Sequence, residues 1–209
     1  MKADTRTGRI GVAGLTSLAV AIAALVATTS ATTPAAASDS PAFLSPEELP
    51  PHPFSPWYAG EVTGGVPDPL PFCYGEALPG ATSRYREFRT EYDTGAEQVT
   101  VVERDEARAR KLAALLNDAI RRCAERVERR DPEATAEFKA FGKLRVEEGA
   151  HVYGVHTAHS WGATDIHLFS VGRDGRTVTV VHWGQMGTFR DAPVTDFKRT
   201  TVTAVDKLH

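Results

Sequence analysis

Residues 164–183, TDIHLFSVGRDGRTVTVVHW, decide the fold. Two runs rich in β-branched and aromatic residues, Thr164 to Val171 and Thr177 to Trp183, flank Gly172-Arg173-Asp174-Gly175-Arg176. The Asp-Gly pair between such runs predicts a tight β-hairpin. Upstream, Leu144 to Glu147 and Ala150 to Thr157 share the composition, which extends the hairpin into a meander. Farther back, Arg84 to Tyr92 (RYREFRTEY) alternates aromatic and charged residues, the period of a half-buried strand. Asp93-Thr94-Gly95 reads as a turn and Gln98 to Glu103 as the returning strand, a second hairpin.

Helices are expected around these strands. Asp105 is placed to cap a long one, with Leu112, Leu115, Leu116, Ala119, Ile120, Cys123 and Val127 recurring at three- and four-residue steps. Its other face is salted with Arg and Glu and reads as solvated. Asp131-Pro132 predicts a short helix to about Ala140, and Pro193 opens a last helix with Phe197, Val202, Val205 and Leu208 on one side. The expected class is α+β: a mostly antiparallel sheet with one long helix and a C-terminal helix packed on one face.

The N-terminal third differs in character. Lys2, Arg6 and Arg9 precede an uncharged apolar stretch from Ile10 to about Val26, and Ala35-Ala36-Ala37 follows. That order predicts a signal peptide over residues 1–37, cut after Ala37, with Ala31 the alternative site. Gly14, Thr16 and Ser17 interrupt the stretch, against a retained transmembrane anchor. Cleavage removes three basic residues and Asp4, moving the net charge from −3 to −5. A negative chain argues against nucleic acid or an anionic membrane as partner.

Residues 38–71 carry nine prolines and form a Pro-rich arm before the domain at 72–209. Ser45-Pro46-Glu47-Glu48 is a capping box that Pro50 and Pro51 stop within about a turn. Phe54, Trp57 and Tyr58 suggest that the arm lies against the domain. Both cysteines, Cys73 and Cys123, fall in the exported part, so a disulfide is expected between them. Closing a loop of that length stabilises by roughly 4 kcal/mol in the chain-entropy model.

Chemistry is harder to find. His151, His156, His159, His167 and His182 all fall in the meander or its connections. His151 shares a face with Tyr153 and Val155, and His156 points the other way. His167 and His182 sit on strands joined by the tight turn, with Asp165 on the face of His167. A zinc site needs three or four converging ligands, which this parity does not assemble, so no metal and no cofactor is expected. No nucleophile elbow and no glycine-rich phosphate cradle is present, and no catalytic residue is assigned. The most site-like segment is Trp183-Gly184-Gln185-Met186-Gly187, which ends a strand between two glycines. Trp161, Trp183, Gln185 and Met186 are the candidate ligand-binding residues, against the alternative that the tryptophans only cover the rim of the core.

Taken together, the order of signal peptide, Pro-rich arm, cysteine before a strand pair, long helix with a cysteine near its end, and meander with Trp183-Gly184-Gln185 resembles the extracellular sensor domain of PknH-type actinobacterial Ser/Thr kinases. The segments Glu148-Gly149-Ala150-His151-Val152-Tyr153-Gly154 and Gly172-Arg173-Asp174-Gly175-Arg176-Thr177-Val178 look like those of secreted sensor-domain proteins. The likeness covers roughly Phe72 to the C-terminus. It implies a sensor fold with a cleft for a small-molecule or cell-wall ligand, acting without a kinase domain in this chain. The sensor domain of those kinases resembles a two-disulfide design, whereas this chain has cysteines for one. Two alternatives stand beside a ligand-binding module. One is a secreted hydrolase using His167 or His182 with a carboxylate such as Asp165. The other is an envelope-interaction protein that holds a partner with its aromatic arm.

Overall fold

The computed structural model describes residues 40–209; the expected signal peptide lies outside them. Eight strands form one sheet: β1 (Tyr58–Ala59), β2 (Thr63–Gly64), β3 (Ser83–Arg89), β4 (Gly95–Val102), β5 (Ala134–Leu144), β6 (Ala150–His159), β7 (Thr164–Asp174) and β8 (Thr177–Met186). Their order is β1-β3-β4-β8-β7-β6-β5, with β2 also pairing β3, and every pairing is antiparallel. The β7–β8 hairpin forms as expected, with its turn one residue later than the Asp-Gly signal. Asp174 pairs with Thr177, so Gly175 and Arg176 make the turn. Gly175, at φ 50°, takes the position where a side chain would be strained.

Three helices pack on the sheet: α1 (Glu106–Arg121), α2 (Cys123–Arg130) and α3 (Val194–Asp206). The Asp105 side chain accepts from the Arg108 N–H at 2.8 Å, the expected N-cap. The single long helix is interrupted at Arg122 (φ −92°, ψ 6°), so it is two helices rather than one. The break falls one residue before Cys123, which is bonded to Cys73.

A second correction concerns the faces. Odd positions of β6 and β7 (Tyr153, Val155, Phe169, Val171) share a core with Val99, Val101, Val178, Val180 and the apolar side of α1. Even positions (Val152, Ile166, Leu168) pack instead with Val181, Trp183 and Phe197 of α3, and with Leu44, Leu49 and Trp57 of the Pro-rich segment. Strand alternation therefore makes two cores, and the helices cover opposite faces rather than one.

The third correction is residues 131–144. Asp131 accepts the Glu133 N–H at 2.9 Å, a turn and not a helix start. The chain then runs as edge strand β5. Ala134, Ala136 and Phe138 turn inward by period two, until a bulge between Ala140 and Gly142 shifts the register. Earlier, the capping box at Ser45 and Glu48 closes a single 3-10 turn, Pro46–Glu48.

A groove floored by two glycines

Register puts chemically distinct residues side by side on the α1 face. One row crosses the sheet as Tyr58, Arg89, Gly95, Gly184 and His167. The next, two residues along, reads Glu87, Glu97, His182 and Phe169. Gly95 and Gly184 are partners on adjacent strands, so the sheet there carries no side chains. These two positions line the floor of a groove of ≈ 690 Å³, with the His167 ring lying over Gly184 and open space over Gly95, within the size range that holds small ligands. Tyr58 and Arg89 stand on one side, His167 and Asp165 on the other, and Gln185 and Met186 at one end.

A chain of polar contacts runs along that wall. The His167 Nδ1 lies 3.0 Å from His182 Nε2, and His182 Nδ1 lies 3.3 Å from Glu97 Oε1. The buried Tyr74 hydroxyl donates to the same Glu97 oxygen at 2.8 Å. Rings enclose the contacts: Phe72 packs on His167 at 4.6 Å between centroids, and Phe169 stacks on His182 at 4.7 Å. Phe72 and Tyr74 flank Cys73, whose disulfide to Cys123 on α2 anchors both. Arg126 adds a hydrogen bond to the Cys73 carbonyl at 2.5 Å. The disulfide thus anchors the two residues that back the His167 and Glu97 side of the groove.

Burial sets the charge of the two ends of this chain. Burial, reinforced by the nearby His182, pushes the His167 pKa from 6.5 down to about 3, so the ring is neutral. Burial and then the Glu97 charge hold the Tyr74 hydroxyl well above 10, a permanent donor. In the neutral pair, with His182 Nδ1 donating to Glu97, His182 Nε2 is the acceptor for His167 Nδ1. His167 Nε2 then carries a lone pair. Among the described residues, the buried side-chain atoms without a hydrogen bond are His156 Nε2 and His159 Nδ1, the latter 3.5 Å from Asp131 Oδ2. No hydrogen bond within the described residues engages His167 Nε2, and His167 lines the groove.

The sequence candidates separate. Gln185 and Met186 border the groove. Gln185 Oε1 accepts from the Thr94 hydroxyl at 3.1 Å, and the Met186 N–H is held by Asp93 at 3.0 Å. Trp183 is 3% exposed and belongs to the core on the opposite face, while Trp161 is 70% exposed and stacks on His159 beyond β6. His167 and His182 do meet across the hairpin, but the carboxylate beside them is Glu97 and not Asp165. Glu97 and Tyr74 were missed, because nothing in the sequence registers β4 against β8. Two glycines inside strands, Gly95 and Gly184, were the available signal. Among the described residues no group of three or more His, Cys, Asp or Glu is placed to hold a metal. None of the described helices is long and apolar enough to cross a membrane.

No family model matches the chain, and no curated protein matches it. Among solved structures, the extracellular domain of PknH from Mycobacterium tuberculosis is similar at 11% identity and a TM-score of 0.44. The alignment covers 71% of this chain and 84% of that one. A likeness at that TM-score carries no argument about the site, and neither sequence comparison places the chain in the family whose motifs it resembles.

Proposed function

We propose that the protein is an exported ligand-binding module whose site is the groove floored by Gly95 and Gly184. The observation that carries the reading is the Tyr74–Glu97–His182–His167 chain along its wall. A polar network at the edge of an apolar core is costly unless satisfied. This one ends on His167, a groove-lining residue whose Nε2 has no hydrogen bond within the described residues, an arrangement a ligand completes. The disulfide supports an oxidising compartment. The test is a thermal-shift screen of the oxidised protein against small polar compounds and wall fragments, repeated on Gly95→Met. A Cβ at Gly95 meets nothing nearer than the Phe88 carbonyl at 3.8 Å, so the variant folds and fills the floor. A ligand at a hundred times its Kd stabilises by about 2.7 kcal/mol, and that shift disappears in Gly95→Met. Shifts that persist there place binding elsewhere.

The same chain supports a second reading, general-base chemistry. His167 Nε2 would take a proton from water or a ligand hydroxyl, Nδ1 would pass its own to His182, and the charge would rest beside Glu97. The groove lining holds no serine, threonine or cysteine, so the attacking group would come from solvent or ligand. Turnover of a screened ligand that ceases in His167→Gln supports this reading; binding without turnover leaves the module a binder.

A further inference from the structure

Resting on the groove being the ligand site, we infer that it selects small organic cations, an amine whose N–H groups are accepted by His167 Nε2 and the Asp165 carboxylate. The inference follows from a count of donors and acceptors. The Tyr74 hydroxyl is spent on Glu97. His182 is engaged at both nitrogens. Arg89, on the opposite side, has its guanidinium 5.5 Å from the Tyr58 ring centroid and keeps its N–H donors there. Of the acceptors, Glu97 Oε1 is taken by Tyr74 and His182 and Asp93 Oδ2 by the Met186 N–H, while the Glu87 side chain, on the Arg89 side, has no hydrogen bond or ion pair among the described residues.

Two acceptors on the far wall keep their capacity. Asp165 lines the groove, shares the face of His167 two residues away, and its side chain has no hydrogen bond or ion pair among the described residues. His167 Nε2 is the second. Neither can donate, so a bound molecule must bring the protons, and beside a carboxylate a charged N–H is the strongest donor. The field agrees: Glu87, Asp93, Glu97 and Asp165 face the groove against Arg89 alone. The Tyr58 ring, already beneath a guanidinium, is a surface on which a cation can rest. A carboxylate or phosphate would confront unpaired acceptors on that wall.

The test uses three molecules of one length and different charge: 1,5-diaminopentane, 1,5-pentanediol and glutarate, titrated calorimetrically into the oxidised protein near neutral pH. The diamine is expected to bind most tightly. Asp165→Asn, a change at a side chain without partners, should weaken it roughly tenfold or more, the size of one charge-assisted hydrogen bond. Gly95→Met should abolish it. Binding of the diol or glutarate at least as tight as the diamine, lost in Gly95→Met, would overturn the amine assignment and leave the groove reading standing. Diamine binding that survives Gly95→Met would remove the groove itself as its site. No measurable diamine binding at millimolar concentration would also overturn the assignment.

Discussion

The imidazole of His167 lies across Gly184, its partner on β8, to reach His182. A Cβ added at Gly184 would sit 2.8 Å from His167 Nδ1 and 3.4 Å from His182 Nε2. A real Cβ does not approach that closely, so Gly184→Ala must move a ring that Phe72 and Phe169 enclose. The expected cost is about 1–3 kcal/mol, typical of overpacking. Urea unfolding measures it, and the ring nitrogen shifts of both histidines should change together. An unchanged midpoint with unchanged histidine shifts would remove the close approach.

Tyr74→Phe keeps the aromatic contact with Phe169 and deletes only the hydroxyl that donates to Glu97. Leaving a partly buried carboxylate without that donor should cost about 1–3 kcal/mol. The check is the urea midpoint, with an intact near-ultraviolet circular dichroism spectrum showing that the core persists.

The paired variant Cys73→Ser/Cys123→Ser should lose roughly 4 kcal/mol in the chain-entropy account. It should also disturb the site, because Phe72 and Tyr74 flank Cys73. Calorimetry measures the first effect. The second appears as altered resonances of His167, which a purely global destabilisation would leave in place while the protein is folded.

Stability should fall in acid for a named reason. The His167 pKa is pushed from 6.5 to about 3 on folding, so between those values the unfolded chain holds a proton there that the native state lacks. The contribution is complete above about pH 6.5 and lost downward through the window, by at most about 1.4 kcal/mol per pH unit. His151 adds to the same trend, lowered by burial and then by Arg121 and Lys143. Denaturation midpoints between pH 7 and 4 check this, and His167→Gln should flatten the curve.

Much of this sheet was written locally. The β7–β8 hairpin was legible because period two and a turn pair coincide there, and α1 because its apolar residues recur with a cap before them. Residues 134–144 were not: Asp131-Pro132 is a fair helix start, and only the turn made by Asp131 reveals the strand. The site was half visible. Parity brings His167 and His182 together across one hairpin, but Glu97 reaches them only through the β4–β8 pairing, some eighty residues apart. Trp183 was an attractive pocket residue by composition. Its alternation with His182 and Gly184 puts it in the other core, so Trp183→Ala should cost about 3–5 kcal/mol in stability.

The central claim is that the groove between Arg89 and His167 is where this protein meets its ligand. An amide-resolved NMR titration of the oxidised protein with the best ligand of the screen tests it most directly. The account predicts saturable shifts gathered at Gly95, Asp165, His167, Gly184 and Met186, absent in Gly95→Met. Saturable shifts centred on other residues, unaffected by that substitution, would contradict it.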